Sequence, residues 1–355
     1  MGIPTPDRTL RVLIVRIGAM GDVVHALPAV AALRRALPDC HLGWAIEPRW
    51  SELLETRRSM PGAPRGPEKP LVDRVHPVPT RAWKQRPVSL ATLREIVTLR
   101  REMLAERYDL CVDLQGSIRS SIVGWLAGAQ RFFGPEAPRE KQARWLYGTP
   151  FATSSAHVIE QACELLGAAA GLPLKPATVE FPREARAELW AKSFLEFELK
   201  SQPYVVLAPT AGWGAKEWPA ERYRKLAAAL GAAGLSVVVN AVPGKMGVPD
   251  SIALGGVAKI AVCNLPHMVS LLRHASLVIG GDSGPIHVAA ALGRPVLSLF
   301  GPTDPARTGP LGERARTLRH PGSITDHRRH RATEEGLAKI GVDEVLGAAL
   351  ELLVR

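Results

Sequence analysis

Asp22 stands directly behind two glycines in VRIGAMGDVVHALPAVAAL (residues 15–33), at the end of a run of branched apolar residues. A glycine turn after a buried strand ordinarily receives phosphate, because its free N–H groups and the positive end of the next helix attract anions. A carboxylate there would repel such a ligand. The segment GAMG (18–21) matches neither GxGxxG nor GxxxxGK[ST], so the turn has neither dinucleotide nor P-loop spacing. At the carboxyl end of a first strand, Asp22 faces the crevice where ligands of open α/β sheets bind. The competing reading is a helix cap, because Asp is a favoured N-cap residue and Pro28 predicts that regular helix begins late.

The second half of the chain carries complementary chemistry. In LAPTAGWGAKEWPAERY (207–223) a strand ends at Thr210, a Gly/Ala loop follows, and Lys216 precedes Trp218-Pro219 at a helix start. Beside a strand end, Lys216 is placed to neutralise a phosphate, although most loop lysines are simply solvated. In LVIGGDSGPIHVAAALGRPVLSLFGPTDP (277–305) an apolar strand runs into Gly280, Gly281, Asp282, Ser283 and Gly284, and Pro285 opens an Ala-rich helix. Glycines permit close backbone approach, Ser283 can cap, and the helix start offers N–H groups to a diphosphate. The turn at 301–305 leaves Thr303 at the same rim.

The elements that must position these residues follow from composition and pattern. At 355 residues, length alone favours two domains. Short Val/Ile/Leu runs alternate with helical Ala/Leu/Arg segments, the pattern of βα units around buried parallel strands. Strands are expected at 10–17, 41–47, 73–78 and 109–115, and again at 204–210, 235–241, 276–282 and 295–301. The fold class is therefore α/β, with two sheets in tandem. A proline-rich, aperiodic stretch (171–185) places the boundary near residue 178, giving domains 1–178 and 179–340, with an amphipathic helix over 341–355 that must dock on an existing surface. PGAPRGPEKP (61–70) reads as a mobile surface loop.

Four widely spaced cysteines form neither a zinc nor a disulfide pattern, which fits a reducing compartment. The N-terminal apolar run is too short to span a bilayer. The net charge of +11 asks for an anionic partner. A nicotinamide-dependent oxidoreductase would share the α/β pattern but needs the fingerprint that the first turn lacks. A nucleic-acid-binding protein would share the charge, but the tract DHRRHR (326–331) has no interleaved aromatics and reads as a solvated tail.

MGDVVHALPAVAALRRALP, VDLQGSIRSS, KEWPAERY and GGDSGPIHVAAALGRPVLSLFGPTDP, in this order and separation, resemble the lipopolysaccharide heptosyltransferases of glycosyltransferase family 9 over nearly the whole chain. DLQGSIRS and APREKQARWLYG look most like the heptosyltransferase I type. The resemblance implies a GT-B fold, in which two Rossmann-like domains face each other across a cleft. Its N-terminal domain receives the acceptor and its C-terminal domain binds the nucleotide sugar. It implies Asp22 as catalytic base and Lys216 at the diphosphate, with Thr210, Asp282, Ser283, Gly284, His287 and Thr303 in the donor pocket. It assigns Gly21, Arg81, Trp83, Lys84, Gln115, Arg119 and Arg139 to the acceptor.

The implied partners are an ADP-heptose donor and an anionic Kdo-lipid A acceptor at the membrane surface, with no nucleic acid and no obligate protein partner. No metal or other cofactor is implied. The implied location is cytoplasmic, at the inner face of the inner membrane. In the heptosyltransferase I type an acidic residue often meets the donor nucleoside after the strand matching LSVVVNA, and this chain has Lys245 in that place.

Overall fold

The computed structural model describes residues 9–60, 62–244, 246–326 and 328–354. Lys245 lies outside the described residues. The chain divides into two compact units, Met1–Pro182 and Arg183–Arg355. The first contains strands β1 (Arg11–Val15), β2 (His41–Ile46), β3 (Arg74–Pro77), β4 (Leu110–Asp113), β5 (Arg131–Pro135) and β6 (Thr149–Phe151). Its helices are α1 (Met20–Ala36), α2 (Thr80–Gln85), α3 (Leu90–Ala105), α4 (Ile118–Leu126) and α5 (Val158–Ala170).

The second unit opens with α6 (Ala185–Leu199) and contains strands β7 (Tyr204–Ala208), β8 (Ser236–Ala241), β9 (Lys259–Val262), β10 (Leu277–Gly281), β11 (Val296–Phe300) and β12 (Ala315–Arg319). Between and after them come α7 (Ala220–Ala232), α8 (Gly247–Ala253), α9 (Leu265–Arg273), α10 (Gly284–Ala291), α11 (Pro305–Thr308), α12 (Glu335–Lys339) and α13 (Val342–Val354).

The two sheets are wound alike. The first has the order β3-β2-β1-β4-β5-β6 and the second β12-β11-β10-β7-β8-β9, which is the same arrangement read from the other edge. Neighbouring strands run parallel throughout. Each unit is thus Rossmann-like, the α/β class expected from the sequence. In each, the strand order reverses beside the first strand, between β1 and β4 and between β7 and β10. Ligands of doubly wound sheets bind outside the carboxyl ends of the strands at such a break.

The central strands are held by burial on both faces. Val12 to Val15, Val205 to Leu207 and Leu277 to Ile279 are fully buried, as parallel strands covered by helices must be. The helix after β1 departs from expectation: α1 begins at Met20 and runs through Pro28 to Ala36 without a late start. Proline removes one N–H from the ladder, but Val23, Leu27, Val30 and Leu33 are buried, and that packing carries the helix past it. Residues 62–70, within the stretch expected as a mobile surface loop, are tied internally by one side chain. Lys69, almost wholly buried, donates to the Ala63 and Asp73 carbonyls at 2.7 Å each, so residues 62–70 fold around its ammonium. In the second unit, α13 buries Val345, Ala348, Ala349 and Leu352 in the core that also holds Leu226, Ile279, Leu297 and Leu299.

Candidate active site

In the first unit the break between β1 and β4 is tied together by side chains. Asp22 sits in the first turn of α1, and the N-cap is Ala19 rather than Asp22. Its Oδ2 accepts the Ala19 N–H at 3.1 Å, and its Oδ1 lies 3.3 Å from the Arg16 guanidinium. That guanidinium also donates to the Asp22 carbonyl at 3.0 Å and to the Leu114 carbonyl at the end of β4. The carboxylate is therefore oriented from two sides while about two-fifths of its side chain stays exposed. A carboxylate has about four acceptor positions, so two remain open to a ligand hydroxyl.

Gln115 crosses the same break. Its Oε1 accepts the N–H groups of Ile17 at 2.8 Å and Gly18 at 3.2 Å, and its Nε2 donates to Ser117 Oγ at 3.1 Å. The amide oxygen thus holds the start of the turn that leads to Gly21 and Asp22, while the amide nitrogen anchors Gln115 to its own turn after β4. Beneath it the fully buried Asp113 accepts from the Gln115 and Gly116 N–H groups, Ser120 Oγ and Tyr147 Oη. Burial nonetheless raises its pKa. Arg119 and Arg139 are exposed. Gly116 adopts a positive φ of 67°, and a Cβ there would lie 3.1 Å from the Arg139 backbone nitrogen, so the segment carrying Arg139 abuts the β4 turn.

Arg81 and Lys84 are exposed on α2. That helix begins beside the β1 turn, because Thr80 donates to Glu47 Oε2 at 2.6 Å while the Glu47 N–H bonds the Ile17 carbonyl at 3.0 Å. Trp83 is half-buried, and its indole donates to Glu95 at 2.8 Å.

The second unit centres on Asp282. At the end of β10, its Oδ1 lies 2.8 Å from His287 Nε2, and its Oδ2 accepts from Thr303 Oγ1 at 2.8 Å and from the Lys216 ammonium. Burial disfavours its charge, but the hydrogen bond and charge of His287 and the Lys216 ammonium outweigh that, holding its carboxyl well below the usual carboxylate range. The carboxylate is thus an internal hub with both oxygens engaged. It fixes Lys216, His287 and Thr303 in place.

Two further features complete this hub. A Cβ on Gly281 would come within 2.2 Å of the Lys216 carbonyl oxygen, so the loop carrying Lys216 lies on the strand only because no side chain intervenes. Ser283 is the N-cap residue of α10 by position, yet its hydroxyl makes no capping bond. Its Oγ is buried without a hydrogen-bond partner. A buried hydroxyl without a protein partner at a helix start has its hydrogen-bonding capacity available to a polar ligand. Thr210 is half-buried two residues beyond β7. The hub can therefore present an ammonium, a hydroxyl and backbone N–H groups to an anion.

Arg16, Asp113 and Trp213 escaped the sequence reading. Arg16 looks like a charge interrupting an apolar strand, and Asp113 like a strand-end cap. Trp213, whose ring centroid lies 4.2 Å from the Lys216 ammonium, carries no motif signal beyond its glycine neighbours.

A family model described as glycosyltransferase family 9 (heptosyltransferase) matches residues 96–338. The chain is similar to lipopolysaccharide heptosyltransferase 1 of Salmonella typhimurium, 29% identical over 311 residues that cover 86% of this chain and 92% of the relative. Similarity to lipopolysaccharide heptosyltransferase 1 of Pseudomonas aeruginosa is 28% over 311 residues, 85% of this chain and 82% of the relative. Among solved structures, the E. coli heptosyltransferase WaaC with ADP has a TM-score of 0.77 at 25% identity, covering 97% of this chain and 100% of that one.

Proposed function

We propose, from the premise that the chain belongs to glycosyltransferase family 9, that it moves heptose from ADP-heptose to a Kdo hydroxyl of Kdo-lipid A. The Asp282 hub carries this reading: it sets an ammonium, an unpartnered hydroxyl and the start of α10 at the strand-order break, the chemistry a nucleoside diphosphate requires. The relatives named heptosyltransferase and the WaaC structure with ADP support heptose and adenine nucleotide as the donor's parts.

In the reaction so read, an acceptor oxygen attacks the anomeric carbon and the bond from that carbon to the diphosphate breaks, inverting the centre. The electron pair leaves on the diphosphate, where Lys216, Ser283 and the N–H of Gly284 meet the growing charge. The acceptor proton passes to Asp22, a carboxylate that Ala19 and Arg16 hold in one orientation. Arg81, Lys84, Arg119 and Arg139 supply cations for an acceptor bearing carboxylates and phosphates. In this reading the first unit takes the acceptor and the second the donor.

The proposed location is cytoplasmic, on the inner face of the inner membrane. Among the described residues no helix is long and apolar enough to cross a membrane. The outer faces of α3, α4 and the turn Lys141–Leu146 support attachment instead. Their inner sides share one core cluster, through Leu99, Met103, Val123 and Ala143. Outward they expose Leu93, Val97, Ile122, Trp125 and Trp145 among Arg94, Arg100, Arg101 and Arg119, a composition suited to an anionic bilayer surface.

The deciding experiment is release of ADP from ADP-heptose in the presence of Kdo-lipid A, beside other sugar nucleotides and beside an acceptor already bearing its first heptose. Turnover only with the latter acceptor would reassign the chain to a later transfer. No ADP release with any acceptor would end the reading.

A further inference from the structure

Residues 328–331 read as part of a solvated tail, yet their backbone lies against the loop that carries Lys216. Ala215 donates its N–H to the His330 carbonyl at 3.1 Å, and Glu334 returns an N–H to the Ala215 carbonyl at 3.2 Å. The Asp326 N–H bonds the Pro302 carbonyl at 2.9 Å, tying the start of the tract to the turn that carries Thr303. A Cβ on Gly214 would approach the Arg331 carbonyl oxygen to 1.8 Å, so this contact exists only because residue 214 is glycine. The Arg329 guanidinium lies 5.7 Å from the centroid of the Trp213 ring, the same ring that the Lys216 ammonium faces at 4.2 Å.

The charge arrangement at this wall is lopsided. The Lys216 ammonium is paired with the buried Asp282 carboxylate, so part of its charge is already answered within the hub. A diphosphate carries more than one negative charge, and that requirement is left over. The Asp326 carboxylate, the acid within the tract, is occupied by the His330 ring at 2.9 Å and the Arg328 N–H at 2.9 Å. Among the described residues no carboxylate pairs with Arg329 or Arg331, and both are exposed. Lys216 and Arg329 both face the Trp213 indole, and with Asp282 and Asp326 already engaged the two arginines leave net positive charge beside the Lys216 loop.

We infer that residues 328–331 form an anion-binding wall of the donor site, in which Arg329, with Arg331, neutralises the diphosphate charge that Lys216 cannot. The inference rests on the donor reading above and adds a determinant outside the strand-end motifs. It also gives Trp213 a task. The ring that Lys216 faces is also a platform for Arg329, one that keeps the guanidinium N–H groups free for phosphate oxygens.

The test is calorimetry on the full chain with inorganic pyrophosphate and with ADP, at several salt concentrations, for wild type, Arg329→Gln, Arg329→Lys and the double variant Arg329→Gln/Arg331→Gln. Loss of a charge-assisted contact is expected to weaken both ligands about 10-fold in the single Gln variant and up to about 100-fold in the double. The salt dependence should flatten in step, and Arg329→Lys should keep most of the affinity. Unchanged pyrophosphate and ADP affinity in the double variant overturns the inference, including the case where only the acceptor KM rises. Wild type that binds neither ligand overturns it too. If wild type loses pyrophosphate on mutation but binds GDP as well as ADP, the wall stands and the adenine-nucleotide donor falls. Should the double variant melt early, the contrast between Arg329→Gln and Arg329→Lys decides alone.

Discussion

Asp22 and Asp282 are both carboxylates behind glycine turns at a strand-order break, but their surroundings divide their work. Asp22 keeps open acceptor positions and accepts a single backbone N–H through its side chain. Asn in its place can still accept that bond, so Asp22→Asn is expected to melt close to wild type and to bind ADP normally. Losing a general base typically costs a factor of about 10²–10⁴ in rate. Measuring kcat and the melting curve on the same protein separates the two roles, and turnover within a few-fold of wild type would leave Asp22 as a capping residue only. Asp282 has no such freedom. Replacing it by Asn leaves the Lys216 ammonium without its partner in a buried site, at an expected cost of about 3–5 kcal/mol. The pH dependence follows from its depressed pKa. The unfolded carboxyl titrates at about 3.9, so the ion pair's contribution is fully present above that value and declines as pH falls through it toward the folded pKa. The gap in melting temperature between wild type and Asp282→Asn should therefore narrow below about pH 4, and a gap that stays constant down to about pH 2 would deny the linkage.

Elements carry these residues, and the close approach of one element to another is testable at Gly281. Its absent Cβ admits the Lys216 carbonyl, so Gly281→Ala should shift that loop, destabilise the protein by about 1–3 kcal/mol and weaken ADP binding. Gly231 in α7 has open space around it, so Gly231→Ala should instead be neutral or slightly stabilising. Equal melting temperatures for the two variants would refute the argument. The same contrast explains what the sequence could reveal. Strands β1, β2, β4, β7, β8, β10 and β11 announce themselves as apolar runs, while the edge strand β3 (RVHP) shows only through the valines of DRVHPV (73–78). By contrast, β6 (TPF), β9 (KIAV) and β12 (ARTLR) lie at sheet edges, where one side meets water or a charge and no such run is needed. Inside its sheet, β5 (RFFGP) was missed as well, because a charge opens it and Gly-Pro closes it, leaving two apolar residues between. The stretch from Gly281 to Gly284 was legible because strand, glycines, acid and helix start are contiguous. The bond from Asp282 to Lys216 was not, because those residues are brought together by the parallel pairing of β7 with β10, register that no local spacing records. The wall at 328–331 was hidden for the same reason: its partner is a backbone loop far away in sequence, and its composition alone resembles a solvated run.

At the scale of the whole molecule, the excess of 45 Lys and Arg over 34 Asp and Glu must be apportioned between soluble anions and a surface. Arg81 and Lys84 on α2 should act on the acceptor alone. Replacing both with Ala is expected to raise the acceptor KM and flatten its salt dependence while donor affinity stays put, and an unchanged KM would return them to ordinary solvated charge. The α3–α4 face makes a separate demand. Trp125 is 60% exposed and Trp145 81%, fractions that are costly to keep in water without a partner, and arginines flank them where lipid headgroups would lie. Burying two indoles in the headgroup region adds apolar transfer energy to attraction that salt alone would screen. Wild type should then bind vesicles containing anionic phospholipid, retain part of that binding at high salt, and release neutral vesicles. Trp125→Ser/Trp145→Ser should lose the salt-resistant part while keeping turnover on a detergent-dispersed acceptor, because neither residue touches Asp22 or the Asp282 hub. Sedimentation with vesicles of each composition measures this directly. If the double variant sediments like wild type at every salt concentration, the apolar face has no part in attachment and the arginines act as a screened surface charge.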